Sequence, residues 1–184
     1  MRVQRSLFSA FVILMFALTF LPAAGAQTAS HPVTGSELLA IVAGQCVDQN
    51  IFHVIESRGI AFRPTDHYRA LLTIAGADAP ILDALKNAKI GANAADPEQM
   101  EAPELLQHLA TAGKLIRAKQ FDPAGEELAA ALQSHIGPEA GFVMGLLQDK
   151  TQGWSNAAAV YSKVLEMAPD FPAGSPANMV HQYA

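Results

Sequence analysis

The chain has 184 residues, of which 51% are hydrophobic and 16% are charged, and its formal net charge is −5. The hydrophobic content excludes an intrinsically disordered chain, and the length excludes a large multidomain enzyme. Near-average glycine and proline contents exclude collagen-like and low-complexity proteins. We therefore expect one globular domain, or two small ones.

Residues 1–26 have the layout of an export signal. Arg2 and Arg5 precede the uncharged run Leu7–Leu21, and Ala24 and Ala26 occupy the small-residue positions of a cleavage site. We predict cleavage after Ala26 and a protein that is periplasmic or secreted. An uncleaved anchor is the alternative, since about 20 apolar residues can cross a bilayer, but a proline and a glycine near the end of the segment disfavour it.

Without that segment the charge becomes more negative, because residues 1–26 contain two arginines and no acidic residue. The remaining 158 residues carry ten Lys or Arg against 17 Asp or Glu, a net charge of −7. Nucleic acid is therefore an unlikely partner, and we expect no membrane association after signal cleavage. Cys46 is the single cysteine, so no internal disulfide can form. We expect Cys46 to be a buried small hydrophobe rather than a nucleophile activated by His53.

Residues 34–90 predict four short helices, each opened by a capping residue and most closed by a glycine. The predicted helices are Glu37 to Ala43, capped by Ser36 and ended by Gly44; Gln49 to Arg58, capped by Asp48 and ended by Gly59; Thr65 and Asp66 to Ala75, ended by Gly76; and Asp78 with Pro80 to about Lys89.

The second and fourth of these helices can be superposed with an offset of 30 residues, which relates Asp48 to Asp78 and Ile60 to Ile90. This indicates a duplicated helical hairpin that packs as an N-terminal four-helix module. The sequences at 38–44, 58–62 and 75–78 resemble a small helical module that precedes repeat domains in exported bacterial proteins. That resemblance implies an arrangement and no activity. We expect no metal site at His53, Glu56, Asp66 and His67, because they lack the spacing of known metal motifs, and no cofactor.

Residues 91–100 contain few large apolar side chains and are predicted to be a linker or loop. Beyond them, residues 101–172 contain an internal repeat with a constant offset of 33 residues. It relates Ala112, Phe121, Ala124, Leu128, Ala131 and Leu132 to Gly145, Trp154, Ala157, Tyr161, Val164 and Leu165.

This repeat resembles the tetratricopeptide repeat family over about residues 105–172, with Pro169 near the end of the second unit. The resemblance implies an all-α fold of short helical hairpins forming a short solenoid. Gly145 and Ala157 would allow the two helices of a unit to approach closely, and Trp154 and Tyr161 would fill the space beside them. Chance similarity between alanine-rich helices is the competing interpretation.

Two units would leave an apolar face exposed at each end of the solenoid. We expect the N-terminal module to cover one end, and residues 173–184, as a tail or a capping helix from about Pro176, to cover the other. A second subunit is an alternative cover, which would make the protein a homodimer.

The resemblance implies that the protein binds a peptide or a protein surface in the groove formed by the first helix of each unit. The candidate groove residues are His108, Lys114, Arg117, Phe142 and Gln148. Lys114 and Arg117 would favour an acidic peptide or a C-terminal carboxylate. The alternative function is a structural homo-oligomer or an assembly component of an envelope complex. A small hydrolase is a third hypothesis, but the sequence has no nucleophile-elbow, phosphate-loop, dinucleotide or zinc motif, and we expect the protein not to be an enzyme.

Overall fold

The computed structural model describes residues 31–46, 48–135, 137–151 and 153–168. The predicted export signal, the closing proline of the second repeat and the predicted capping helix lie outside these residues. The described part contains nine helices and two short strands, which confirms the predicted all-α fold class.

The first half of this part contains five helices and both strands. They are α1 (Gly35–Ala43), α2 (Asp48–Arg58), β1 (Ile60–Phe62), α3 (Asp66–Ala75), α4 (Ala79–Lys86), β2 (Ile90–Ala95) and α5 (Pro97–Met100). The second half contains four longer helices: α6 (Pro103–Arg117), α7 (Phe121–Ser134), α8 (Pro138–Thr151) and α9 (Trp154–Met167).

The helix ends of the first half follow from capping chemistry. The side chains of Thr65 and Asp78 accept hydrogen bonds from the backbone N–H of Tyr68 and Ile81, as expected for the starts of α3 and α4. The prediction that Ser36 caps α1 is wrong, because Thr34 is the cap and accepts from the Glu37 N–H. The Ser36 side chain has a different partner, which is described below.

The segment predicted to be a linker, residues 91–100, instead contains β2 and α5. β2 pairs with β1 in parallel, with Ile60 opposite Ile90. Residues 60 and 90 are the pair related by the offset of 30, and α2 packs against α4. The segments related by this offset are therefore each a helix followed by a strand, rather than a helical hairpin. Helix α4 ends at Lys86, before the predicted Lys89, because the chain must enter β2.

Helix α1 lies at the centre of the molecule, and all nine of its residues are buried. It packs against α3, α6 and α8, so one continuous core joins the N-terminal module to the second half of the chain. Gly113 of α6 permits this packing. A Cβ atom there would lie 2.8 Å from the carbonyl oxygen of Ala75 and 2.9 Å from the Cα of Ala43, so only glycine lets the three backbones approach.

The second half consists of two helix pairs, α6 with α7 and α8 with α9, joined by packing of α7 against α8. The buried residues of α7 and α9 are related by the offset of 33, as the repeat requires: Ala124, Leu128 and Ala131 correspond to Ala157, Tyr161 and Val164. Gly145 lies against the Tyr161 ring, since its Cβ would be 2.4 Å from Cε1. Trp154, however, is 67% exposed, so the expectation that it fills this interface is wrong.

Candidate protein-binding surface

The face formed by α6 and α8, where the sequence places a binding groove, is covered by the chain itself. Helix α1 packs against both helices. The end of α1 fits closely, because a Cβ on Gly44 would lie 2.4 Å from Leu146 Cδ1 and 3.6 Å from Phe142 Cε1. A separate peptide can therefore occupy this face only by displacing α1.

The N-terminus of α1 is held by side chains from distant parts of the sequence. The Glu101 carboxylate accepts hydrogen bonds from the backbone N–H groups of Gly35 at 2.8 Å and Ser36 at 2.5 Å. The Ser36 hydroxyl donates to Glu139 at 2.9 Å, and the Tyr68 hydroxyl donates to the Gly35 carbonyl at 2.7 Å. The two bonds to Glu101 satisfy N–H groups that have no partner within the helix, and a carboxylate there also suits the helix dipole.

Burial perturbs the ionisation of this cluster. Burial raises the pKa of Glu101, the hydrogen bonds from Ser36 and Gly35 oppose the rise, and the nearby Glu139 carboxylate adds to it. Burial, together with the charges of Glu101 and Glu98, raises the pKa of Tyr68 well above its ordinary value. The carboxylates of Glu101 and Glu139 anchor α1, although the buried Oε2 of Glu139 has no hydrogen-bond partner among the described residues.

An ion pair also holds this helix. Arg58 of α2 donates to both carboxylate oxygens of Glu37, at 2.6 and 3.0 Å, and both side chains are only 6% exposed. Bidentate geometry and burial make this pair a structural clamp on α1.

Three of the five predicted groove residues contribute to the fold. His108 pairs with Glu127 at 2.7 Å, which joins α6 to α7. Phe142 is 1% exposed and packs near Tyr161, with 6.3 Å between ring centroids. Arg117 donates to the carbonyl oxygen of Ile74 at 2.5 Å, so it caps the C-terminal turn of α3. Phe142 is therefore too buried to line an open groove, whereas His108 and Arg117 have partners within the fold but keep exposed surface.

The other two predicted residues lie apart from one another. Lys114 is exposed on α6, and no hydrogen bond or ion pair joins its side chain to another residue within the described ranges. Gln148 is half-buried and lines a cleft between α7 and α8. The structure therefore does not bring the five residues together in one site.

The α7/α8 cleft is open to solvent and has a volume of about 540 Å³. Apolar residues of both helices line it, with polar residues among them: Phe121, Asp122, Gly125, Glu126, Ala129, Met144, Leu147, Gln148 and Thr151. Its volume is within the range of about 300–1,000 Å³ that is usual for ligand pockets.

Gly125 distinguishes this cleft from the packed parts of the fold. Gly113, Gly141 and Gly145 all lie where a Cβ would meet another atom at 2.9 Å or less. A Cβ on Gly125 would have one neighbour, Leu147 Cδ2, at 3.8 Å, which is ordinary contact. A glycine inside a helix costs about 1 kcal/mol relative to alanine, and internal packing does not account for that cost at Gly125.

The charges at the cleft have one sign. Asp122 and Glu126 are exposed, lie four residues apart on α7, and both line the cleft. Like charges at this spacing repel one another by a few tenths of a kcal/mol. No Lys or Arg is among the described residues that line the cleft, so the charged side chains of its lining are all negative. A glycine within a helix and two acidic residues on one helix face are the sequence features that mark this surface, and neither belongs to the repeat pattern.

A second cleft, of about 420 Å³, lies near the end of α1 and is lined in part by Cys46, Gly76 and Arg117. Burial raises the pKa of the Cys46 thiol to about 12, although Lys150 partly offsets the effect. The thiol is therefore protonated at neutral pH and poorly suited to nucleophilic attack. His67, another candidate considered for metal binding, pairs with Glu98 at 3.0 Å, and within the described ranges no group of three or more His, Cys, Asp or Glu is placed to hold a metal ion.

None of the helices in the described part of the chain is both long and apolar enough to span a membrane. Comparison with protein-family models, curated proteins and solved structures gave no match to this chain. The tetratricopeptide resemblance therefore continues to depend on the residues quoted for it.

Proposed function

We propose that the protein is an exported interaction module that binds a peptide or protein surface through its helical repeats, and that the binding surface is the α7/α8 cleft. The observation that carries this proposal is an open, partly apolar cleft between two helix pairs whose opposite face is already filled by α1. A cleft of this kind suits insertion of side chains from a partner segment.

A site-specific crosslinking experiment tests the proposal. A photoreactive amino acid replaces Gln148 in the cleft or, as the control, Glu56 on the exposed side of α2. We expect an adduct with one defined envelope protein from position 148 only, and we expect Gly125→Phe in the same chain to abolish it. Equal adducts from both positions, or an adduct that survives Gly125→Phe, would contradict binding in the cleft.

The alternative function is self-association through the last helix. Among the described elements α9 packs mainly against α8, and it leaves Trp154 67% and Met167 43% exposed. Pairing of two copies at the N-terminal end of α9 would bury Trp154. Sedimentation at several concentrations, with Trp154→Ser as the test variant, distinguishes the two functions: a dimer that dissociates in the variant favours self-association, whereas a monomer throughout removes that alternative.

The third hypothesis, a small hydrolase, receives no support from the raised pKa of the Cys46 thiol. The proposal assigns no catalytic role to Cys46, because its thiol is held in the protonated form at neutral pH.

A further inference from the structure

We infer that the α7/α8 cleft recognises a segment of another protein in which a Lys or Arg lies next to a medium-sized apolar side chain such as Leu or Met. This inference rests on the proposed function and specifies the chemistry of its partner.

The shape of the cleft sets the apolar part of the ligand. Gly125 and Ala129 line the α7 side of the cleft, and Met144 and Leu147 line the α8 side. Because the two α7 residues are small, space remains beside the larger side chains of α8. That space accepts a Leu or Met side chain in contact with both helices. A methionine in the wall also adapts to ligands of different shapes, since its side chain is unbranched and flexible.

The charge of the cleft sets the polar part of the ligand. Asp122 and Glu126 lie on the α7 side, and the residues lining the cleft in the described part of the chain include no cation. A Lys or Arg in the ligand would remove the repulsion between the two carboxylates, and an acidic ligand would increase it. The basic residue must therefore lie beside the apolar one, within reach of α7.

The chain's own C-terminal segment has the wrong charge for this role. Residues 169–184 include Asp170 and no Lys or Arg. The net charge of −5 also disfavours close approach of a second copy through an acidic surface. Charge complementarity therefore favours a basic segment of a different protein.

Selection from a displayed library of random peptides of about 12 residues tests the inference without a known ligand. The protein is used as residues 27–184 and compared with two variants at Gly125. Gly125→Phe fills the cleft, and Gly125→Ala is the matched control because its Cβ meets only Leu147, at 3.8 Å. Circular dichroism and thermal unfolding establish that both variants are folded.

We expect enriched peptides to combine Lys or Arg with a neighbouring Leu or Met and to lack Asp and Glu. Their affinity should fall about tenfold or more in Gly125→Phe and stay within about twofold in Gly125→Ala, since the larger variant removes the burial of one apolar side chain. Glu126→Gln should lower the affinity about two- to fivefold, and the loss should shrink at high salt.

Three results would overturn the inference: enrichment of uncharged or acidic peptides, equal binding to Gly125→Phe, or no enrichment at all. If Gly125→Phe is unfolded, the double variant Asp122→Asn with Glu126→Gln takes its place, because both side chains are exposed. The crosslink from position 148 separates the two levels of the proposal. A crosslinked partner without basic peptides in the selection refutes the ligand chemistry alone, whereas the absence of both refutes the proposed function as well.

Discussion

The two faces of the α6–α9 helices use the same residue types for opposite purposes. On the face covered by α1, Gly113 brings three backbones into contact, and the half-buried Glu101 accepts hydrogen bonds from the N-terminus of α1. At the α7/α8 cleft, Gly125 leaves space unfilled, and Glu126 stays exposed beside another acid. A glycine or a glutamate therefore indicates a functional surface only where internal packing and internal hydrogen bonds do not already account for that residue.

The largest expected effect comes from breaking the clamp on α1. Glu37→Gln removes one partner of a pair that is 6% exposed on both sides, so we expect the free energy of unfolding to fall by about 3 kcal/mol. Asp83→Asn is the matched control, because the Asp83–Lys86 pair is 65% and 59% exposed and should contribute less than about 1 kcal/mol. Urea denaturation measures both, and equal losses would show that burial does not distinguish the pairs.

Alanine at the two contrasting glycines should have effects of opposite sign. Gly113→Ala places a Cβ 2.8 Å from the Ala75 carbonyl oxygen, and we expect it to destabilise the protein by about 1–3 kcal/mol. Gly125→Ala should instead stabilise it by up to about 1 kcal/mol, because the helix gains and nothing clashes. Denaturation midpoints that move in the same direction in both variants would contradict the difference in packing between the two faces.

A smaller effect is expected from the two cations of α6. Arg117→Met removes the hydrogen bond to the Ile74 carbonyl oxygen and should cost about 1 kcal/mol. Lys114→Met should change the free energy of unfolding by less than about 0.5 kcal/mol, since an exposed side chain without a described partner contributes little. Thermal unfolding of the two variants side by side checks the assignment, which fails if Lys114→Met is the more costly change.

The pH dependence of stability should report the anchoring carboxylate. The pKa of Glu101 is raised in the folded protein, so the folded state keeps this proton at pH values where the unfolded chain has released it. The stability gained from protonated Glu101 is therefore present below the ordinary pKa of 4.5 and is lost as the pH rises through the folded-state pKa. Urea denaturation between about pH 4 and pH 7 should show this decline in the native protein and a weaker one in Glu101→Gln. If the free energy of unfolding declines equally with pH in both proteins, Glu101 is excluded as the source of the decline.

Most of the helices could be predicted because their ends depend on nearby residues. Thr65, Asp78 and Gly76 act within one turn of the helix that they begin or end, so the sequence is sufficient to locate them. The strands could not be predicted in the same way. β1 has only three residues and β2 is rich in glycine and alanine, so pairing between distant segments creates them rather than local preference.

The candidate site was harder to predict because its accessibility depends on long-range packing. Helical spacing placed Phe142 on the first helix of a repeat, but only the position of α1 determines that this face is closed. Trp154 shows the same limit at the other end, since its place in the repeat predicted burial and it is exposed. Gln148 was predicted to bind in the groove, and it lies instead in the cleft on the other side of α8.

The long-range bonds of α1 have a consequence for the order in which the chain can fold. Gly35 and Ser36 bond to Glu101 and Glu139, which are 66 and 103 residues away from their partners in the sequence. During synthesis from the N-terminus, α1 precedes every helix that encloses it, and its enclosure is incomplete until α8 emerges. Contacts of such sequence separation slow folding. The first helix of the described chain is thus fully enclosed only late in synthesis, and until then its apolar side chains can take part in aggregation.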